Sequence, residues 1–415
     1  MRPTFRLIGA IFLIGATVFL GGIFPQADRL SELYAMILCA AVILDALYLN
    51  RVKVSSAKRE VETLLSNGVE SAVKVSIVLS SASFLRITAI DSVPEDMLHK
   101  NPLKIFPLST GILREYSYEI LPRKRGIFDF GEILIKAESP IGLFSKKIKT
   151  TATQEVKVYP DISIFKKYGL FIQKGLSHRS GIRLGRMRGE GTEIESLREY
   201  HRDDDFRWIE WKATARRGKP ISKNFQPEKN QSILLMLDAG RNMINRVGVH
   251  TKFDHMMNTA ALLIYVSHHF NDRIGVMVFG DEVISFIKQD KGKTSPMRIL
   301  DRIYNLQPRF CESDYETAYG RALTKLKRRT LVVTFTDLLD PYSSERVIKY
   351  NQMISRKHLP LVVSVSDSDL KSETLREASH PGDVFRKFAS QELMEDYKRS
   401  VKLLSGRGVD VVSVP

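Results

Sequence analysis

Three hydrophobic patterns follow one another along the chain. Residues 7–23 are apolar without a break, and a second apolar run covers about 33–49, interrupted only by Asp45. Runs of this length read as membrane-spanning helices, the first near the lower limit for a bilayer. A short polar link containing Pro25, Asp28 and Arg29 joins them, so residues 1–54 read as a two-span transmembrane hairpin. From 55 to about 160 the period is two. Strands are predicted at 73–79, 84–90, 114–121, 130–136 and 152–159, with turn chemistry at Asp91-Ser92-Val93-Pro94 and at Gly126 and Gly131. Short strands without a helical pattern predict a small all-β, sandwich-like domain over 55–160. Within it Pro140–Phe144 reads as a rigid turn whose apolar residues tuck against the sheet.

From 231 onward strand and helix alternate. Strands are predicted at 232–237, 274–279, 330–335, 361–365 and 409–414, with an antiparallel edge strand at 283–287. Helices are predicted at 253–269, 294–305, 314–327, 343–356 and 386–404. Continuous apolar strands imply cover on both faces, hence an α/β domain with a doubly wound, mainly parallel sheet over 231–415. The intervening 161–230 reads as a linker. Its first part, 160–188, is rich in Gly, Lys and Arg and loop-like. Its second part alternates arginine and carboxylate through Arg198, Glu199, Tyr200, Asp204, Asp205, Arg207, Trp208, Trp211, Lys212 and Arg216. Asp205 is placed to cap a helix starting at Phe206 that carries both tryptophans. Three readings fit: a clasp pairing Arg198, Arg207 and Arg216 with Glu195, Glu199 and Asp203–Asp205, a protein-docking surface, or an acid–base or metal site around His201. The charge alternation suits the paired network best.

Charge then orients the chain. The net charge of the 415 residues is +16. Arg2 and Arg6 precede the first span, and Arg51, Lys53, Lys58 and Arg59 follow the second. The positive-inside rule therefore puts both termini and all soluble domains in the cytoplasm, on the inner membrane. A cleaved signal peptide is the rival for the first span, disfavoured by the second span so close behind. Cys39 and Cys311 are too few and too distant for a disulfide scaffold. Asp45 reads either as a functional intramembrane carboxylate or as a group paired at the interface or within the hairpin.

Two strands end in aspartates, Asp238 and Asp337, with Cys311-Glu312-Ser313-Asp314-Tyr315-Glu316-Thr317 between them in sequence. Loops beyond strand carboxyl ends form ligand sites in α/β sheets. These oxygens are hard ligands, suited to Mg²⁺. The sequence shows no His/Cys spacing for zinc, no phosphate-cradling GxxxxGK[ST] loop and no GxSxG elbow.

At these residues the chain resembles a von Willebrand factor A domain, which binds a divalent ion through an Asp-x-Ser-x-Ser turn, a later threonine and a later aspartate. The resemblance implies a metal set of Asp238, Asn242, Thr317 and Asp337. Gly240 and Asn242 stand at the two serine positions, and Ser313, Asp314 and Thr317 compete for the threonine's place. More specifically, the chain is similar over about 5–415 to the bacterial domain-of-unknown-function 58 family. The resemblance rests on Leu197–Tyr200, Asp203–Arg216, Arg125–Phe128, Ser139–Phe144, Glu312–Tyr315 and Phe335–Pro341. It implies a membrane-anchored adaptor or scaffold that works with a MoxR-type AAA+ ATPase in assembling or remodelling other proteins, with no established enzymatic activity; no nucleotide is expected on this chain, because the phosphate-cradling loop is missing. A metal-assisted, phosphodiesterase-like hydrolase is the alternative, using Asp238, Asp337 and residues of 193–205. A basic module for membrane lipids or nucleic acid is the third. Without a recognisable nucleic-acid motif, nucleic acid is the weaker partner.

Overall fold

The computed structural model describes residues 1–21, 25–80, 84–109, 112–163, 165, 194–201, 204–225, 231–291, 295–365, 368–376 and 380–414. The Gly/Lys/Arg-rich stretch, Asp203 and the end of the first apolar run fall outside them. The chain divides into two compact units, Met1–Tyr159 and Pro160–Pro415.

The first unit opens with β1 (Arg2–Pro3), α1 (Phe5–Gly21) and α2 (Pro25–Arg51). Among the described residues, the Ser31–Arg51 part of α2 is long and apolar enough to cross a bilayer, while Phe5–Phe19 is a shorter apolar helix. Pro25 begins α2 and does not belong to the link, consistent with proline's tolerance in a first helical turn. The strands that follow are β2 (Val54–Glu60), β3 (Leu64–Ser66), β4 (Ser71–Leu79), β5 (Leu85–Asp91), β6 (Met97–Lys100) and β7 (Leu103–Ser109). They continue with β8 (Leu113–Pro122), β9 (Gly126–Phe130), β10 (Ile133–Glu138), β11 (Phe144–Thr150) and β12 (Gln154–Tyr159). They form sheets ordered β1-β11-β10-β5-β7, β2-β4-β8-β6 and β3-β12-β9. The predicted strand 130–136 is in fact two, β9 and β10, because the Gly131 N–H turns away to the Ser92 carbonyl at 2.9 Å. Alternation explains the core. Val73, Val75 and Ile77 of β4, Ile133, Ile135 and Ala137 of β10, and Val156 and Val158 of β12 are all buried.

The foot of α2 is built into this core through Leu49 and Val52. The Lys146 ammonium donates to the Val52 carbonyl at 2.7 Å and to those of Leu49 and Asn50 at 3.3 Å. A cation there complements the negative end of the helix. Asp45 is 1 % exposed. It accepts from the Ser139 hydroxyl and from the Phe144 N–H at 2.8 Å. Its partners among the described residues lie in the 139–144 turn of the β domain.

The second unit begins with β13 (Ile194–Glu199), a 3-10 turn (Phe206–Trp208), α3 (Trp211–Arg217) and β14 (Ile221–Phe225), with β13 and β14 antiparallel. The six-stranded sheet comprises β15 (Ser232–Asp238), β18 (Arg273–Phe279), β19 (Val283–Lys291), β20 (Leu331–Phe335), β21 (Leu359–Val365) and β22 (Asp410–Val414). A small ribbon, β16 (Arg246–Val247) with β17 (His250–Thr251), lies between β15 and β18 in sequence. The order is β19-β18-β15-β20-β21-β22, parallel throughout except for β19. The helices are α4 (Lys252–His269), α5 (Pro296–Ile303), α6 (Tyr315–Lys325), α7 (Pro341–Ser355), α8 (Ser368–Leu375) and α9 (Pro381–Gly406). One core cluster joins Leu234, Met236, Met277, Phe279, Val332 and Val362 of the strands to α6, α7 and α9. The alternate residues Leu235, Leu237, Val276 and Val278 are equally buried, and α4 packs on β15, β18 and β21. The architecture is therefore α/β with a mixed sheet. The strands β13 and β14, the ribbon β16–β17 and the helix α8 have no counterpart among the predicted elements of this unit.

Candidate functional site

β15 and β20 lie side by side and parallel, so Asp238 and the residues after β20 emerge at the same sheet edge. Asp238 is 3 % exposed. One of its oxygens accepts from the Gly240 N–H at 2.9 Å and from the Ser313 hydroxyl. The other accepts from the Thr336 hydroxyl at 2.7 Å and the Tyr315 hydroxyl at 2.8 Å. The loop between α5 and α6 is stitched to the same edge. The Arg309 N–H donates to the Ala239 carbonyl at 2.7 Å, the Arg241 N–H to the Cys311 carbonyl at 2.8 Å, and the Asp314 N–H to the Gly280 carbonyl at 2.7 Å. Gly240 follows from this crowding. A Cβ there would run into the Ser313 hydroxyl oxygen and come within 3.1 Å of the Cys311 carbonyl. A serine at 240 would force the Ser313 side chain to move, and it is Ser313 that supplies the hydroxyl to Asp238.

Asp337, at 2 % exposure, has a different partner. Its carboxylate takes the Lys252 ammonium at 2.7 Å and the Leu339 N–H at 3.1 Å. Lys252 is the first residue of α4, where a cation opposes the helix dipole. That mismatch is the signal in the sequence that could have singled it out, just as the hydroxyls of Tyr315 and Thr336 went unnoticed beside the aspartates. Of the four residues in the implied metal set, Asn242 is half-buried on the 3-10 turn Arg241–Ile244, and Thr317 is exposed in the first turn of α6. The Thr317 N–H donates to Asp314, the cap of that helix, at 3.1 Å. Ser313, and not Thr317, meets Asp238.

A hard divalent ion needs six or more oxygens with lone pairs to offer. Here both Asp238 oxygens are engaged by donors, and the Asp337 carboxylate is neutralised by an ammonium. An ion at this edge would compete with four donors for Asp238 and with the Lys252 ammonium for Asp337. Among the described residues no group of three or more His, Cys, Asp or Glu converges.

Burial raises the pKa of Asp238 against the pull of its four donors. A raised carboxyl in the folded state binds its proton more tightly than in the unfolded chain. Its contribution to stability is thus complete below the ordinary carboxylate range and lost as pH rises through the raised value. Asp238→Asn mimics the protonated form, and its amide can donate to the Tyr315 and Thr336 hydroxyls, which turn to accept. The expected result is an unfolding midpoint that no longer falls across that pH window, measured by thermal melts from acid to neutral pH.

The second polar cluster lies at 194–225. Asp204 is buried, accepting from Arg198 at 2.7 Å and from the His201 N–H at 3.1 Å. Asp205 caps the 3-10 turn through the Arg207 N–H at 3.0 Å and pairs with the Arg207 guanidinium at 2.7 Å, which holds its pKa down. Glu210 pairs with Lys223 at 2.6 Å and Glu199 with Lys219 at 3.5 Å. Tyr200 donates its N–H to the Pro220 carbonyl at 2.9 Å. Lys212 and Arg216 are exposed on α3, and the side chain of Glu195 is outside the described residues. The predicted single helix from Phe206 is broken in two. Ile209 bridges to Ser222 and the Glu210 N–H donates to the Ile221 carbonyl at 2.9 Å, so strand pairing holds both residues extended. The tryptophans consequently part company. Trp208 is half-buried at the end of the 3-10 turn, whereas Trp211 is 70 % exposed at the start of α3, near Phe206 in sequence at 72 %.

Residues 196–378 match the family model described as Protein of unknown function DUF58. The DUF58 match takes in both the 196–225 cluster and the Asp238 edge. Over 229 residues the chain is 22 % identical to the uncharacterized protein Rv1480 of Mycobacterium tuberculosis, spanning 53 % of this chain and 71 % of that one. The uncharacterized protein YeaD of Bacillus subtilis is 24 % identical over 127 residues, 29 % of this chain and 30 % of its own length. Among solved structures, the CARDB domain of the PF1109 protein from Pyrococcus furiosus, in complex with di-metal ions, is 10 % identical at a TM-score of 0.19. It covers 26 % of this chain and 93 % of that one. A protein of unknown function from Porphyromonas gingivalis is 14 % identical at a TM-score of 0.20, covering 27 % and 49 %. Likenesses at this level carry no argument about function.

Proposed function

We propose that the chain is a membrane-tethered docking protein whose DUF58 domain holds a partner protein. One observation carries the reading. Phe206 and Trp211 stand exposed on a segment otherwise fixed by a β-ladder and by the Arg198–Asp204, Arg207–Asp205 and Glu210–Lys223 pairs. Exposed aromatics anchor protein interfaces, and a rigid support spares the entropy of ordering them on binding. In this reading α2 and the shorter α1 both cross the bilayer, and the flanking arginines and lysines keep both termini and the soluble units in the cytoplasm. The family resemblance of the sequence makes a MoxR-type AAA+ ATPase the partner to test and protein assembly or remodelling the process. The contact runs through the aromatic pair and not through a divalent ion, because Lys252 already neutralises Asp337.

The test is capture from native membranes with the full chain in detergent, the ATPase being identified by mass spectrometry. An aromatic anchor contributes about 2 kcal/mol or more to an interface, so Trp211→Ala should lower affinity roughly 30-fold or more, equally in Mg²⁺ and in EDTA. Capture at the wild-type level by Trp211→Ala would place the contact elsewhere. No ATPase in any sample would remove the resemblance-based partner.

A further inference from the structure

A cavity of about 300 Å³ opens at the foot of α1 within the first unit. Its wall includes Arg6, Arg86, Lys136 and Glu138, two more cations than carboxylates, with Phe5 and Ile8 beside them. Glu138 is shared, lying 2.6 Å from the Lys136 ammonium and 4.0 Å from the Arg86 guanidinium. Arg6 is held by a neutral partner, its guanidinium donating to the Ile141 carbonyl at 3.2 Å. The turn is shaped around that side chain. Gly142 has φ +75°, and a Cβ there would come within 2.8 Å of an Arg6 nitrogen. In the same wall, Phe5 and Ile8 are 91 % and 56 % exposed on the first turns of an apolar helix. That helix packs against α2, the helix able to span a bilayer.

We propose that this cavity binds the phosphate headgroup of an anionic membrane lipid. Arg6, Arg86 and Lys136 meet the phosphate, and Phe5 and Ile8 meet the acyl chains. The physical basis is the coincidence of three elements. A basic pocket at the base of a membrane helix attracts anionic headgroups, arginine matches phosphate geometry with paired donors, and exposed apolar side chains beside it are at home in hydrocarbon. A free phosphate ion would use the cations but leave Phe5 and Ile8 in water.

The experiment is native mass spectrometry of the full chain in neutral detergent, titrated with short-chain phosphatidylglycerol, with phosphatidylcholine of equal chain length, and with inorganic phosphate. Phosphatidylglycerol should bind in clear preference to phosphatidylcholine, and inorganic phosphate should not displace it at equal concentration. Each basic side chain contributes roughly fivefold to such binding, so Arg86→Gln with Lys136→Gln should weaken phosphatidylglycerol about 25-fold. The side chains of Arg86 and Lys136 are 45 % and 42 % exposed, so the double variant keeps the fold. Glu138→Gln removes the competing carboxylate and should tighten binding about fivefold, a gain that misfolding cannot imitate. Equal binding of the two lipids, an unchanged double variant, or displacement by phosphate alone would each overturn the proposal.

Discussion

Replacing Lys252 with methionine should destabilise the α/β unit by about 3–5 kcal/mol, because it strands the Asp337 carboxylate in the interior without its counter-charge. The Lys252 and Asp337 side chains are 1 % and 3 % exposed, so the solvent screening that makes surface pairs weak does not apply. Methionine keeps most of the volume, which confines the loss to charge and hydrogen bonding. The double variant Lys252→Met, Asp337→Leu should recover most of that loss, since an apolar pair of similar volume carries no desolvation cost. Thermal unfolding of the full chain in detergent measures both. Run in parallel with EDTA and with Mg²⁺, the same experiment tests the fit of an ion. The wild type should unfold at one temperature in both. An ion binding the folded state at 100 times its dissociation constant would add about 2.7 kcal/mol, a shift that cannot be missed. Lys252→Met is the variant expected to gain stability from Mg²⁺, its Asp337 carboxylate being open to a cation. A rise in the wild type would mean that an ion displaces the ammonium.

The sheet edge shows which parts of this arrangement are written locally in the sequence. The strands of the α/β unit were legible because burial on both faces demands near-continuous apolar runs, and Ile233–Leu237, Ile274–Phe279 and Leu331–Phe335, broken only by Thr334, supply them. The aspartates at two strand ends were legible for the same reason, as the first charge after such a run. What each carboxylate meets is not local. Lys252 lies 85 residues from Asp337, and Ser313 and Thr336 lie 75 and 98 residues from Asp238. No periodicity links such positions; only the sheet order brings them together. The segment at 206–216 went astray differently. Its residues share a helical face, yet the backbone groups of Ile209 and Glu210 find partners in β14, and tertiary pairing overrides propensity. In the β domain the short β6 and the edge strand β7 carry too few inward-facing apolar residues to be seen.

In the β unit the corresponding large effect is expected at Arg59. Its guanidinium makes two bonds to Asp91, one of them at 2.9 Å, and donates to the carbonyls of Ala152 at 2.6 Å and Gly131 at 2.9 Å. It also lies 4.6 Å from the centre of the Phe130 ring. The side chains of the pair are 1 % and 0 % exposed. Tyr118 completes the group, donating to Asp91 at 2.6 Å, and burial together with that carboxylate holds its phenol protonated far above the usual range. Arg59→Met should cost about 3–5 kcal/mol, because it removes one partner of a buried ion pair. Tyr118→Phe removes one bond to an ionised group and should cost about 1.5–3 kcal/mol. Arg59→Lys should fall between the wild type and Arg59→Met, since an ammonium restores the charge but cannot span both oxygens and two carbonyls. Hydrogen exchange of the β4 and β8 amides in the full chain reads this order, because those strands frame the cluster and exchange through opening of this unit. Equal losses for Arg59→Met and Tyr118→Phe would mean that the cation contributes no more than a single hydrogen bond. The cluster would then be held by hydrogen bonds and packing and not by charge.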